Sequence, residues 1–219
     1  MNSKEHRLRE LTESRKNSRW PGYQCIGDYC NGRYECDFVS PYSISAHNVD
    51  ARLMVLLQDW ASHDVLKEDF LEERCTIGYD PKRTTNIRLQ QLLHQHFGLE
   101  LKDIYATNVF PFIKSGGMNS KIKSKDLRCA AKTFALPQID IVQPRIAVCL
   151  GKVAFDAVAV VAGQQKSASI DSAIASPFSH GTTRIWCQAH TGPQGYNNRN
   201  RGGVDVSADW KKMAETFRR

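Results

Sequence analysis

Leu53-Met54-Val55-Leu56-Leu57-Gln58-Asp59 is the stretch on which the fold turns. A continuous apolar run ending in polar residues suits a strand buried on both faces, and such strands belong to parallel sheets covered by helices. Three more strands fit residues 104–109, 145–150 (RIAVCL) and 183–189 (TRIWCQA). Helical patterns lie between them. One opens at Thr84-Thr85, carries Leu89, Leu92, Leu93 and Phe97 on one face and stops at Gly98. Another begins near Ser124 with Leu127, Ala130, Ala131 and Phe134 inward, and Pro137 must kink or split it. A third covers residues 153–161, and the last places Trp210, Met213, Ala214 and Phe217 on one stripe. Strands alternating with helices predict an α/β protein, a three-layer αβα sandwich around a central four-stranded parallel sheet.

Composition agrees with one domain and an arm. The chain has 219 residues, 41% hydrophobic and 24% charged, which excludes a wholly disordered protein. No apolar run reaches the roughly 20 residues of a membrane span, so no membrane role is expected. The first residues (MNSKEHRLRELTESRKNSRW) lack the apolar centre of an export signal, which predicts a cytoplasmic protein. Residues 1–20 read as a charged, flexible or marginally helical arm, broken off by Trp20-Pro21-Gly22, and residues 21–219 as the domain. The net charge of +7 suits a polyanionic partner, most often nucleic acid.

In open parallel sheets ligands sit at the carboxyl ends of the strands. The first strand ends in Gln58-Asp59-Trp60, the second in Thr107-Asn108, the third in Leu150-Gly151-Lys152 and the fourth in His190-Thr191-Gly192-Pro193. An acid, a carboxamide and an imidazole therefore converge on one edge, which marks a candidate site.

At these residues the sequence resembles the uracil-DNA glycosylase superfamily, over roughly residues 50–215. Gln58-Asp59 resembles the family's first motif. Ile104-Tyr105-Ala106-Thr107-Asn108-Val109 resembles the strand whose asparagine reads the uracil edge. The stretch from Pro144 to Ala154 (PRIAVCLGKVA) resembles the strand and helix start of the branch that carries an iron–sulfur cluster. His190-Thr191-Gly192-Pro193 resembles the final His-x-x-Pro motif, with its catalytic histidine and DNA-wedging loop. The chain departs from the common pattern in having Trp60 in place of proline, Thr191-Gly192 in place of Pro-Ser, and no Gly-rich first loop, which makes it a divergent branch.

The resemblance implies a monofunctional DNA glycosylase of base excision repair, expected to be a monomer, that hydrolyses the bond between deoxyribose and uracil or a related deaminated base. That reaction builds an oxocarbenium-like sugar and an anionic base, both of which need stabilising. Asp59 is expected to favour the cation and orient water, and His190, as a neutral donor, to bond the departing base. The target base must be flipped out of the duplex. Asn108 then reads its edge and Tyr79 stacks on it, with Phe110, Phe112 and Trp60 as rival stacking residues. Gln58 is expected to fix base or water, and Trp60 to narrow the pocket or stack.

Two basic loops are expected on the DNA. Lys114-Ser115-Gly116-Gly117 leads into Lys121, Lys123, Lys125, Arg128 and Lys132. The segment after Gly192-Pro193 offers Tyr196 as a wedge and Arg199 and Arg201 to phosphates. No cofactor is expected for the reaction. Cys25, Cys30, Cys36 and Cys129 form an alternative zinc or iron–sulfur ligand set, although the branch's close Cys-x-x-Cys pair is missing. The rival readings are a non-catalytic DNA-binding protein on the same fold, a thiol-bound metal or redox module, and a glycosylase for another altered base such as hypoxanthine or xanthine.

Overall fold

The computed structural model describes residues 3–201 and 203–218. Among these residues seven strands form two sheets: β1 (Tyr23–Gln24), β2 (Leu53–Asp59), β3 (Tyr105–Phe110), β4 (Ile113–Lys114), β5 (Ile146–Leu150), β6 (Phe178–His180) and β7 (Thr183–Gln188). The main sheet has the order β3-β2-β5-β7-β6, and β1 pairs with β4 in a small antiparallel ribbon. β3, β2, β5 and β7 run parallel, as their apolar runs require.

Alternation along β2 divides the interior into two layers. Met54 and Leu56 face the helical stretch Ser124–Val142 and the helix Lys152–Val161, meeting Phe134 and Val158. Leu53, Val55 and Leu57 face the helices Thr84–Phe97 and Val206–Arg218, meeting Leu89, Leu93 and Trp210. Each such aliphatic side chain taken fully out of water contributes about 1.5–3 kcal/mol. Helices therefore cover both faces of the sheet and leave its carboxyl edge open. No helix among the described residues is long and apolar enough to cross a membrane.

The sheet has five strands where four were expected. The fifth, β6, lies antiparallel to β7 across a tight turn in which Gly181 takes φ +54°. Three residues, Phe178-Ser179-His180, are too short and too polar to show a strand period. Pro137 neither breaks nor sharply splits its helix. Ala131–Ala135 forms a π-helical turn just before it, and Pro137 falls in the first turn of the segment that follows, where a missing N–H is tolerated within one helical run.

The N-terminal segment differs most from expectation. Ser3–Asn17 is a helix packed on the domain through Leu8, Thr12 and Arg15. It has no apolar stripe, and its anchor is polar. The buried Arg15 guanidinium donates to Glu35 at 2.5 Å and to the carbonyls of Cys36 and Phe38, both at 2.9 Å.

Candidate active site

The open edge of the sheet gathers the end of β2, the ribbon strand β4 and the segment that leaves β7. Asp59 closes β2, and its side chain is only 6% exposed. Gln58 Nε2 donates to Asp59 Oδ1 at 2.8 Å, and Lys114 Nζ lies 2.8 Å from Asp59 Oδ2. Lys114 comes inward because β4 pairs with β1 at Tyr23 and bridges to Ser62, which carries the chain across the mouth of the sheet. The returning loop then presents the Met118 carbonyl, which accepts from Lys114 Nζ at 2.6 Å. The lysine expected on phosphates is thus a buried partner of the acid. Its ammonium is taken by Asp59 and Met118, so the phosphate expectation does not hold for Lys114.

His190 follows β7 directly. The Gly192 amide donates to its Nδ1 at 3.0 Å, which fixes a lone pair on Nδ1 and, in the neutral ring, the proton on Nε2. Burial lowers the His190 pKa; Asp59 opposes that shift and Lys114 adds to it. The segment can wrap the ring so closely only through glycine, because a Cβ on Gly192 would meet Nδ1 at 2.8 Å. Thr191, fully buried, ties the segment to the start of the Thr84–Phe97 helix by donating to the Thr85 carbonyl at 2.9 Å.

Asp59 and His190 line one cavity of about 80 Å³, together with Tyr42, Trp60, Tyr79 and Arg74. That volume holds several water-sized spheres, about the bulk of one planar ring. Tyr79 stacks on Tyr42 with centroids 6.3 Å apart. Burial, reinforced by the Asp59 charge, raises the Tyr42 pKa far above its ordinary value and keeps the phenol neutral. Trp60 Nε1 donates to the Gly78 carbonyl at 2.7 Å. Gly78 crosses the 41–43 segment at φ +88°, where a Cβ would stand 1.8 Å from the Pro41 carbonyl oxygen, so only glycine allows this crossing.

Asn108 sits level with Leu57 on the neighbouring strand, fully buried and outside the cavity lining. Its Oδ1 accepts from the Ser40 hydroxyl, while its Nδ2 has no partner among the described residues. The rival stacking residues Phe110 and Phe112 pack on Trp20 in the core, away from the cavity. Trp60 is on the cavity wall.

The second basic loop is in fact the helix Pro193–Arg201. Arg199 does not reach outward: its side chain, 8% exposed, bonds Asp209 at 2.8 and 3.1 Å and also Asp171. These carboxylates come from two other helices and consume the guanidinium, which corrects the phosphate expectation. Tyr196 packs half-buried against the core with the Arg88 guanidinium 4.3 Å above its ring, so it does not stand free as a wedge. Ser115, Pro193 and Arg201 are exposed, as are Lys121, Lys123 and Lys125, whereas Gly192 is buried under the imidazole.

Cys25, Cys30, Cys36 and Cys129 do not assemble. Cys25 is buried, accepting from Arg19 and donating to the Ser18 carbonyl, while Cys129 is exposed. Among the described residues no group of three or more His, Cys, Asp or Glu is placed to hold a metal.

Sequence reasoning missed Lys114 as the partner of Asp59, and also the wall residues Tyr42 and Arg74. One signal was available for the lysine: it ends the apolar run Val109 to Ile113, an unusual place for a solvated cation.

No curated protein matches the chain. The family model for the uracil DNA glycosylase superfamily matches residues 75–214, a span that contains Asn108 and His190 and begins after Asp59.

Proposed function

The chain belongs to the uracil DNA glycosylase superfamily, and from that premise we propose that it hydrolyses the N-glycosidic bond of uracil, or of a related deaminated base, in DNA. The observation that carries this reading is the meeting of Asp59 and His190, from strand ends far apart in sequence, on the wall of one small cavity. The superfamily supports a DNA glycosylase-type hydrolase acting on DNA; the choice of base and the residue roles are our reading.

A base flipped into the cavity lies beside Tyr79, and the proton on His190 Nε2 faces the charge that develops on its ring. Asp59, ionised, stabilises the cationic sugar and holds the attacking water, which adds to C1′ as the base departs with the bonding pair. The second lone pairs of its carboxylate remain for that water after Gln58 and Lys114 have bonded. Asn108, fully buried and outside the cavity lining, makes no contact with a base held there. The reaction so written draws on no metal. Incubation with an oligonucleotide carrying one uracil, followed by hot alkali, is expected to give a strand break at that position. Absence of a break at stoichiometric protein favours the non-catalytic binder, and parallel oligonucleotides with hypoxanthine or xanthine settle the base.

The pH dependence follows from His190. Burial penalises its cation and holds its pKa below the ordinary histidine value, so the ring is neutral at about pH 7. Protonation would expel the Gly192 amide from Nδ1. Excision is therefore expected to be flat above about pH 7 and to fall as pH drops through the lowered value. An acid limb at or above the ordinary histidine value, in the rate or in an NMR titration of the ring, would contradict this assignment.

DNA contact passes to the exposed lysines after β4. Replacing Lys121 and Lys123 together by alanine is expected to weaken binding to all sequences and to reduce the slope of log affinity against log salt by about 0.9 per lost phosphate contact. An unchanged slope would remove both from the interface.

A further inference from the structure

Lys114 has no role in the hydrolysis as proposed, yet both of its partners, Asp59 and Met118, stand on the cavity wall. Its side chain is 4% exposed, in direct contact with the carboxylate oxygen of Asp59, and anchored by the Met118 carbonyl. Among the described residues its third N–H has no partner. A buried ion pair is poor evidence of stabilisation, since apolar residues of similar size commonly serve as well or better. What a lysine brings that an arginine or an apolar residue does not is an amine that becomes a nucleophile once a neighbouring base removes a proton. Asp59 is that base, at 2.8 Å. The other oxygen of Asp59 is held by a carboxamide, which is no nucleophile.

We propose that Lys114 gives the protein a second activity, cleavage of DNA at abasic sites through an imine. The proposal rests on the excision reading, because the product of excision is its substrate. The abasic sugar opens to an aldehyde at C1′. Lys114 Nζ passes a proton to Asp59 Oδ2 and adds its lone pair to C1′, and a second proton moves from that nitrogen to the former carbonyl oxygen. The resulting hydroxyl leaves as water with the proton returned from Asp59, and a C1′=Nζ iminium remains. Loss of a C2′ proton to water then expels the 3′-phosphate with the C3′–O bonding pair. Water finally hydrolyses the imine and frees the lysine. No electrons are gained or lost overall.

Borohydride reduces such an iminium to a stable secondary amine. The test incubates the full chain with sodium borohydride and either an oligonucleotide carrying a preformed abasic site or one carrying uracil, with excision scored separately by hot alkali. The expected result is a covalent protein–DNA adduct on preformed abasic DNA, mapped by peptide mass spectrometry to Lys114. Lys114→Arg, which keeps the charge beside Asp59 but forms no imine, should reduce the adduct by at least about tenfold. Lys166→Ala, an exposed lysine away from the cavity and the basic loops, should trap as the wild type does. The mapping needs no variant to fold. Uracil release without any adduct, or an adduct mapping elsewhere and undiminished in Lys114→Arg, overturns the lyase and leaves excision standing. An adduct at Lys114 without uracil release supports the lyase and overturns uracil excision. Neither signal overturns both.

Discussion

Asp59→Asn is expected to slow base release by about three orders of magnitude, close to 4 kcal/mol of transition-state stabilisation, while affinity for DNA stays nearly unchanged. The substitution keeps size but removes the negative charge that faces the cationic sugar, and with it one of the two acceptor oxygens that face Gln58 and Lys114. It also removes the charge that holds Lys114, so borohydride trapping should fall with excision. The lysines proposed to contact DNA are exposed and lie outside the cavity, which is why binding should survive. Single-turnover excision measured beside a binding isotherm makes the comparison. A variant of near-normal rate would take Asp59 out of the chemistry, and an equal loss in binding would make it a structural residue.

Arg15→Met should cost about 3 kcal/mol of folding stability, since the buried arginine satisfies Glu35 and two backbone carbonyls at once. In a chain of this size that lowers the melting temperature by about 6–12 °C. The Glu35 side chain is 29% exposed, so water recovers part of its loss and larger values are not expected. Denaturant unfolding followed by circular dichroism reads the change. A shift under about 1 kcal/mol would mean that Leu8 and Thr12, and not the arginine, hold the N-terminal helix.

Elements whose side chains need only a period were legible in the sequence. The β2 run is apolar at every position because both faces are covered, and Met54 and Leu56 were bound to separate from Leu53 and Val55. Gly98 ended its helix in the left-handed conformation as expected. That Asp59 and His190 share one edge was legible because each ends a buried parallel strand, and parallel strands end on the same side. Three of the misreadings share one cause. Arg15, Lys114 and Arg199 are charged, and a charge in a sequence reads as surface. Each is buried by acids or carbonyls supplied from elsewhere: Glu35 for Arg15, Asp59 for Lys114, Asp171 and Asp209 for Arg199. No local pattern encodes such pairing. The position of Asn108 was legible, while its bond to Ser40 depends on how residues 40–42 pass the sheet edge.

The crossing of Gly78 beneath Pro41 has a bearing on selectivity. Tyr79 follows that glycine and leans on Tyr42, which belongs to the strand of chain being crossed. The aromatic wall is therefore braced from behind by main chain, with no slack for recoil. A guest that is too thick meets a jig and not a cushion, so discrimination among nucleobases at this wall should be steric and abrupt, with oversized rings refused outright and not merely bound more weakly.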